Sequence, residues 1–301
     1  MKKLFMAVIA LMMTISASAQ FYIYFSDGTV AKVDSISMVT PAEQERPDPS
    51  AGSAVFSVSA NKQVTFSKGN LQYHPANDEW RFAENQSDYI GDANSNISST
   101  YNGWLDLFGW GTGANPTNSS ADYNNYQTFV DWSANQIGAD APNTWRTLSK
   151  DEWVYLFHGR ANAERLFALG SVNGVNGTII LPDNWVTPSG LSFVASTTNG
   201  LDWKGTYYEN SNGDNFINNT YTSEQWSKME QAGAVFLPVS SDRWGTDVHN
   251  VGVCGSYWSS TRNYNSNSPD AWCVLFASNS LRPLYVRSRN YGLSVRLVKD
   301  L

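Results

Sequence analysis

The sequence predicts an α+β fold in which two helices and several small antiparallel sheets follow a short N-terminal β-hairpin. Two segments open with the S/T-x-x-E/Q pattern of a helix capping box, one at Ser149 and one at Thr222. Around both helices, short runs alternate apolar and polar residues, which is typical of strands with one buried face. Because most of these runs are joined by short polar turns, antiparallel pairing is expected, and separate helices and strand runs indicate the α+β class.

The first 19 residues have the organisation of a secretory signal peptide. Lys2 and Lys3 precede an apolar run from Leu4 to Met13, and Ala17-Ser18-Ala19 offers a small-x-small cleavage site. The apolar run is shorter than the roughly 20 residues that span a bilayer, and no later segment does better, so no transmembrane segment is predicted. Residues 1–19 are therefore expected to be removed and the protein exported to the periplasm, the cell surface or the medium.

The segment after the leader, residues 20–39, is predicted to form a β-hairpin. Its apolar and polar residues alternate on both sides of Asp27-Gly28, a dipeptide that favours tight hairpin turns. Residues 40–53, "TPAEQERPDPSAGS", are rich in proline and charge and have no apolar periodicity, so they are predicted to be a linker. The main domain is therefore expected to span residues 54–301.

Strand-like runs follow the second helix in close succession: "AVFLPV", "GSYWSST", "AWCVLFAS" and "GLSVRLV". The third run is apolar on both faces from Ala271 to Ala277, which is typical of a central strand that is buried on two sides. In the fourth run, apolar residues at 293, 295 and 297 alternate with Ser294 and Arg296. We therefore expect that run to have one buried face and one polar face.

The composition indicates a large core and a polar but weakly charged surface. Hydrophobic residues make up 42% of the 301 positions and include 12 Trp, whereas charged residues make up only 16%. The net charge of −7 argues against nucleic acid as a partner. From Ser259 to Leu301, however, six Lys and Arg side chains outnumber two Asp side chains, a net charge of +4. This end is expected either to pair with acidic loops elsewhere or to form a local surface for anionic or hydroxyl-rich ligands.

Several motifs of the main domain together resemble an exported bacterial family. They extend from about Ala54 to Val298 and comprise "FSVSANKQVTFSKGNLQY", "WRFAENQSDYIGDAN", "LFGWGTG", "TWRTLSKDEWVYLF", "VNGVNGTIILPD", "AGAVFLP", "GSYWSST" and "GLSVRLV". In these motifs the chain is similar to the Fibrobacter succinogenes major paralogous domain family, whose domains belong to the C-type-lectin-like fold. The resemblance implies a compact frame of two helices and a small antiparallel sheet that carries variable loops.

In some relatives with this fold, the C-terminal strands and loops form a ligand-binding face that is rich in Asn, Tyr and Ser and diversified by a retroelement. The segments "SSTRNYNSNSPDAW" and "SNSLRPLYVRSRNYGLSVRLV" are similar to that region. The resemblance therefore implies an extracellular glycan or protein ligand. The Glu-Pro-Asn, Gln-Pro-Asp and Trp-Asn-Asp signatures of calcium-dependent sugar binding do not occur in the sequence, so no cofactor or metal is expected.

The connection between "GSYWSST" and "AWCVLFAS" is longer than a hairpin requires. About ten residues, nearly all Asn, Ser, Tyr or Arg, stand where two can close a turn. Such side chains offer donors, acceptors and rigid ring area at low charge, as in other binding loops. We therefore expect a ligand-binding face formed by Arg262, Asn263, Tyr264, Asn265, Asn267, Asp270, Arg282, Tyr285, Arg287, Arg289, Asn290 and Tyr291. The alternative is a solvated loop in a protein that is rich in Asn throughout.

Catalytic patterns are sparse, so the sequence favours recognition or adhesion over enzymatic activity. The three histidines share no metal-type spacing, and neither H-E-x-x-H nor G-x-S-x-G is present. A secreted hydrolase that acts on glycans through two distant carboxylates is one alternative. An oxidase similar to the formylglycine-generating enzymes, which share the lectin-like frame and use two cysteines, is a weaker one. The Gly-Asn-Val-Trp-Glu-Trp type of motif that is typical of those enzymes is absent.

The only two cysteines, Cys254 and Cys273, lie on either side of the long connection. In an exported protein an even number of cysteines is compatible with a disulfide, and the strands of one hairpin can bring two cysteines together. The sequence leaves open whether the pair forms a bridge or remains as two thiols.

Overall fold

The computed structural model describes residues 54–199, 216–264 and 268–301, together with the backbone of short strands at 21–24, 30–33, 202–204 and 207–209. The chain divides into two compact units, Met1–Arg46 and Pro47–Leu301. The predicted leader (residues 1–19) and the predicted linker (residues 40–53) lie outside the described residues. Within the described part of the chain, no helix has the length and apolar character needed to cross a membrane.

Strands make up most of the regular structure. In chain order they are β1 (Phe21–Tyr24), β2 (Val30–Val33), β3 (Phe56–Ser59), β4 (Lys62–Phe66), β5 (Leu71–His74), β6 (Glu79–Phe82), β7 (Arg146–Thr147), β8 (Phe167–Val172), β9 (Val175–Ile180), β10 (Asp202–Lys204), β11 (Tyr207–Glu209), β12 (Thr220–Tyr221), β13 (Val235–Pro238), β14 (Asp242–Trp244), β15 (Asp247–His249), β16 (Cys254–Arg262), β17 (Asp270–Ala277), β18 (Ser280–Ser288), β19 (Tyr291–Gly292) and β20 (Leu297–Asp300). Short 3₁₀ helices occupy Pro75–Asn77, Gly91–Asn96, Tyr123–Tyr126, Trp132–Ala134, Ala163–Arg165, Ser196–Asn199 and Phe216–Asn218.

Two α-helices begin at the predicted capping boxes. Helix α1 (Lys150–Val154) continues into a π-helical turn (Tyr155–Gly159), and helix α2 spans Ser223–Gln231. At α1 the amide of Glu152 donates to Ser149 Oγ (3.3 Å), and the amide of Ser149 donates to Glu152 Oε2 (2.8 Å). Thr222 and Gln225 make the same two bonds at the start of α2. These bonds satisfy amides that have no partner inside a helix, which is why both helices start there.

The sheets are small and mostly antiparallel, so the α+β prediction is confirmed. In the first unit β1 pairs antiparallel with β2, as the alternation predicts. In the second unit the strand orders are β3-β4-β20-β7, β5-β6, β12-β8-β9-β13, β15-β14-β19 and β10-β11-β18-β17-β16. We call the last of these the C-terminal sheet. Strand β17 lies in its interior, as its two apolar faces predict.

Two aromatic clusters cover the two faces of β17. Val274 and Phe276 belong to a cluster that surrounds Trp153 of α1, whereas Ala271 and Cys273 belong to a second cluster. The second cluster contains five of the tryptophans, Trp80, Trp110, Trp132, Trp145 and Trp258. A strand that is buried on both sides is held rigidly, because its side chains are packed at the density of a protein interior.

A third apolar cluster fixes α2 against the sheet β12-β8-β9-β13. Trp226 and Met229 of α2 are buried, as the spacing of the helix predicts, and the Trp226 ring packs on Phe236 of β13 with ring centroids 5.5 Å apart. Gly233 follows the helix with φ +99°, in the left-handed region where glycine is favoured, and allows the chain to turn into β13.

The segment "GWLDLFGWGT" (residues 103–112) is irregular and mostly buried, and it ties the C-terminal sheet to the rest of the unit. Phe108 and Leu293 exchange two backbone hydrogen bonds of 2.9 and 3.0 Å. The indole of Trp258 in β16 donates to the Phe108 carbonyl (2.7 Å). The indole of Trp110 donates to the Ser259 carbonyl (3.0 Å). The position of β16 is therefore set by tryptophan N–H groups as well as by its own ladder.

The prediction that the run "GLSVRLV" has one polar face is wrong. Ser294 is 0% exposed and Arg296 is 1% exposed, so both sides of the segment are buried. Arg296 Nη2 donates to Gln86 Oε1 (2.9 Å), and Gln86 Nε2 donates to Glu230 Oε1 (3.0 Å). Burial of the guanidinium is possible because these polar groups replace the water that it loses. Burial also lowers the pKa of Arg296 to about 10.

Asp106 is a buried carboxylate in the irregular segment "GWLDLFGWGT". One oxygen accepts from the Ile90 amide (2.9 Å) and the other accepts from Asn94 Nδ2 (2.8 Å). Burial raises the pKa of Asp106 from 3.8 to about 6, and these hydrogen bonds only partly oppose the rise. Between these two pH values the folded protein therefore holds a proton that the unfolded chain releases.

We predict that Asp106 makes the protein less stable as the pH rises from about 4 to about 7. Because the folded state binds the extra proton, the free energy of unfolding falls with pH, and two pKa units correspond to about 3 kcal/mol. Asp106→Asn cannot titrate. The free energy of unfolding of the protein minus that of Asp106→Asn should therefore fall by about that amount over this pH range. Urea unfolding at several pH values measures it. The exposed neighbour Asp92→Asn serves as the control, and a difference that stays constant with pH would contradict the prediction.

Candidate ligand-binding face

Five of the predicted site residues lie on strands of the C-terminal sheet: Arg262 on β16, Asp270 on β17, and Arg282, Tyr285 and Arg287 on β18. Arg262 at the end of β16 is opposite Ala271 of β17, and Ala271 is opposite Arg287 of β18. Residues at opposite positions project from the same face, and neighbouring strands are about 4.8 Å apart. The backbones of Arg262 and Arg287 are therefore about 10 Å apart, with the small Ala271 between them. The sheet thus brings the long connection and the β18 segment together.

Four half-exposed side chains form a stacked cluster beside this row, which we call the arginine–tyrosine ledge: Arg282, Tyr285, Arg287 and Tyr291. The guanidinium carbons of Arg282 and Arg287 lie 5.5 and 5.3 Å from the centre of the Tyr285 ring. The Arg287 carbon also lies 5.6 Å from the centre of the Tyr291 ring. These are cation–π distances, so the rings orient the two guanidinium groups while both remain partly in solvent.

Asp242 of β14 forms a buried ion pair with Arg287 of the ledge. Its Oδ2 lies 3.5 Å from Arg287 Nη2, and its side chain is only 3% exposed, against 26% for Arg287. Asn250 Nδ2 donates to the same carboxylate (3.3 Å). Burial raises the pKa of Asp242, and the charge of Arg287 opposes this rise by favouring the carboxylate. Arg287 is therefore anchored by a buried countercharge on one side and faces solvent on the other.

The long connection between β16 and β17 presents a second group, which we call the hairpin tip: the exposed Tyr264 and the half-exposed Arg262 and Asp270. The amide of Asn263 donates to the Asp270 carbonyl (3.1 Å) and closes the base of the connection. Tyr264 is 81% exposed, and the Arg262 guanidinium carbon lies 5.6 Å from its ring centre. The predicted residues Asn265 and Asn267 lie outside the described residues.

The structure corrects three of the predicted binding residues, because it buries them. Arg289 is 0% exposed, and its carbonyl accepts from the Trp110 amide (2.9 Å). Asn290 is also buried, and its Nδ2 donates to the Ala121 carbonyl (2.7 Å). Asn263 is buried at the base of the long connection. Other segments of the chain cover these polar side chains, which therefore support the face from inside and do not contact a ligand.

The positive charge of the face is smaller than the sequence suggests. Arg289 and Arg296, which contribute two of the positive charges near the C-terminus, are buried. Burial lowers the pKa of Arg289, and the nearby charge of Arg262 lowers it further. The arginines that reach the surface of the face are Arg262, Arg282 and Arg287, with Asp242 and Asp270 as the acidic residues beside them.

Two residues of β14, Asp242 and Trp244, belong to this region but are not among the predicted site residues. Trp244 lies opposite Tyr291 of β19, and it is 45% exposed although it is a large apolar side chain. The stretch "SDRWGTDVHN" contained a signal, since a Trp followed by Gly between acidic residues indicates an exposed turn with an aromatic side chain. The pairing of Trp244 with Tyr291 could not be inferred from the sequence, because the two residues are 47 positions apart along the chain.

The two cysteines are free and buried, which excludes a disulfide between them in this structure. They lie on neighbouring strands, but Cys254 is opposite Ala277 and Cys273 is opposite Trp258. The pair is therefore four positions out of register, about 13 Å along the strand direction at 3.3 Å per residue. A disulfide requires Cα atoms within about 7 Å of each other.

The thiols are also poor candidates for the chemistry of a two-cysteine oxidase. Burial raises the pKa of Cys254 to about 11 and raises the pKa of Cys273 further. Reactive cysteines need the opposite shift, because the thiolate is the nucleophile. Among the residues that the structure describes, no three His, Cys, Asp or Glu side chains come together in a group that could hold a metal ion.

Comparison with known proteins adds no relative from which a function can be transferred. No family model, no curated protein and no solved structure matches the chain. The class that the structure itself defines is an α+β domain with an arginine- and tyrosine-rich face along the strand β18 of its C-terminal sheet.

We predict that both thiols are reduced and protected in the native protein. Ellman's reagent should react with Cys254 and Cys273 about 100-fold more slowly in the native protein than in the unfolded chain, because a pKa near 11 leaves little thiolate at pH 8. Both thiols should react in denaturant without prior reduction. Cys254→Ser should lose one titratable thiol and keep the slow reaction of the other. An unfolded chain that shows no thiols until a reductant is added would contradict the prediction.

Proposed function

We propose that this protein is an exported, non-enzymatic recognition or adhesion domain that binds a glycan or a protein through its C-terminal face. The face combines the arginine–tyrosine ledge with the hairpin tip. The leader-like residues 1–19 of the sequence support export.

One observation carries the proposal: exposed cationic and aromatic groups stand on a rigid support. Arg282 and Arg287 stack on Tyr285 within 5.5 Å, and Tyr264 is 81% exposed above Arg262. Tyr and Arg are the residue types that supply most binding energy in recognition surfaces. Rings that are already stacked and held lose little conformational freedom on binding, so more of the contact energy appears as affinity.

We further propose that the domain belongs to the C-type-lectin-like fold and is related to the Fibrobacter succinogenes major paralogous domain family. The motif resemblance from Ala54 to Val298 supports this assignment. Two capped helices, small antiparallel sheets and a long hairpin connection near the C-terminus agree with what the resemblance implies. The fold alone carries no function, so the binding proposal rests on the face and not on the assignment.

We predict that Arg262→Gln/Tyr264→Ala and Arg282→Gln each weaken ligand capture about tenfold or more, because hot-spot contacts are worth over 1.4 kcal/mol. Both changes lie on exposed or half-exposed side chains, so the free energy of unfolding should change by no more than about 0.5 kcal/mol. The measurement is retention on glycan and host-protein arrays, with and without calcium. Arg287→Ala is unsuitable alone, since it leaves the buried Asp242 without its partner.

The matched control for this experiment is Arg165→Gln. Arg165 is an exposed arginine of another surface, 3.8 Å from Glu164, with 76% of its side chain in solvent. Its replacement should leave capture unchanged. The proposal fails if the hairpin-tip and Arg282 variants retain ligand as well as the control does, or if turnover of a panel substrate accompanies binding.

A further inference from the structure

The ribbon β15-β14-β19 carries a large exposed ring directly beside the ledge. Trp244 and Tyr291 occupy opposite positions of β14 and β19. Opposite side chains of an antiparallel pair leave on the same face, with Cβ atoms about 5 Å apart. The other face is occupied by the buried Arg243, and a Cβ on Gly292 would come within 2.8 Å of Arg243 Nη2. Trp244 and Tyr291 therefore project on the same side of the ribbon, where Trp244 is exposed and Tyr291, half-buried against the second aromatic cluster, lies next to Arg287.

The charge of this corner of the face favours an anion. Asp242 is almost fully buried, so the carboxylate that pairs with Arg287 does not itself face a ligand. A guanidinium has five N–H donors; the contact with Asp242 engages those of Nη2 and the N–H of Nε is buried, so the donors of Nη1 are the ones left for a ligand. Arg282, whose guanidinium carbon lies 5.5 Å from the centre of the Tyr285 ring, adds a second positive charge near that ring. A carboxylate or sulfate is therefore the group that Arg287 is suited to receive.

The acidic side of the corner lies at its far end. Asp247 of β15 is exposed and occupies the position opposite Trp244, on the side away from Tyr291. Its carboxylate can accept hydrogen bonds from hydroxyl groups but would repel an anion. The corner thus has a cationic end at Arg287, aromatic surface in the middle and an acceptor at Asp247. A sugar acid has these three complementary parts in one ring: an anionic group, an apolar C–H face and hydroxyls at its edge.

We propose that Trp244, Tyr291 and Arg287 form a subsite for an acidic saccharide unit, a uronate or a sulfated sugar. The sugar ring lies on Trp244 and Tyr291, its anionic group binds Arg287, and a hydroxyl donates to Asp247. The inference rests on the proposed recognition function and assigns the class of ligand to it. Binding of an acidic peptide at this corner, with no binding of an acidic saccharide, would contradict the proposal.

The test is isothermal titration calorimetry of the purified protein with three oligosaccharides of equal length. They are an oligogalacturonate, the same oligomer with its carboxyl groups reduced to alcohols, and a heparin-derived sulfated oligosaccharide. At least one acidic oligomer should bind about tenfold or more tightly than the neutral one, and its affinity should fall as salt is added.

The variants separate stacking from charge. Trp244→Ala should weaken binding of the acidic oligomer about tenfold, whereas Trp244→Tyr, which keeps a ring, should retain most of the affinity. Arg287→Gln should weaken it about 10- to 100-fold. The double variant Arg287→Gln/Asp242→Asn should lose as much. It leaves no unpaired buried charge and should therefore stay folded, and its urea unfolding curve separates a loss of binding from a loss of stability. Arg165→Gln is again the control and should bind normally.

The outcomes distinguish this inference from the proposed function. Equal binding of neutral and acidic oligomers, or full affinity in Arg287→Gln, overturns the acidic-sugar subsite. So does capture of only a protein ligand through the face, with none of the three oligosaccharides bound. In each of these cases the hairpin-tip and Arg282 variants still report on recognition by the face. The proposal that the face is a recognition surface fails on a different result: none of the substitutions on the face changes the capture of any ligand.

Discussion

The interaction on which the rest of the structure depends is the hydrogen bond from the buried indole of Trp258 to the carbonyl of Phe108, at 2.7 Å. Phe108 is paired in turn with Leu293, so one irregular segment links β16 to the chain that leads into β20. The Phe108 carbonyl thus accepts from both the Leu293 amide (3.0 Å) and the Trp258 indole, and a buried indole N–H without a partner would be costly. The position of β16 then sets those of β17 and β18, whose ends carry the candidate face.

Arginines are divided between the frame and the surface, and this division shapes the charge of the protein. Arg296 is enclosed by Gln86, Asn70 and neighbouring groups, and Arg160 donates to the Leu181 carbonyl and pairs with Asp183 at 3.1 Å. Buried charges are costly to desolvate, so the polar groups that hydrogen-bond with these guanidinium groups specify one arrangement of the chain more than they add stability. The surface keeps few arginines, and those near the C-terminus stand on one sheet.

The candidate face joins a rigid support to side chains that remain partly in solvent. Asp242 neutralises part of the positive charge from inside, which keeps Arg287 in place without presenting a carboxylate to the ligand. The rings of Tyr285 and Tyr291 hold the guanidinium at stacking distance. Stability and binding therefore use the same residues, and a substitution there must be matched by one at its buried partner before a loss of binding can be interpreted.

The sequence by itself determined the local structure: both capped helices, the hairpins and the central position of β17. These features follow from hydrogen bonds and apolar periodicities among residues that are close together in the sequence, so the sequence alone is enough to predict them. It also indicated the exposed Tyr264 and the arginines of β18. Only the tertiary structure decided that Arg289 is buried and that Trp244 lies opposite Tyr291, since burial and pairing depend on segments distant along the chain. It likewise decided that the cysteines are out of register, because a β-ladder brings together only residues at matching positions.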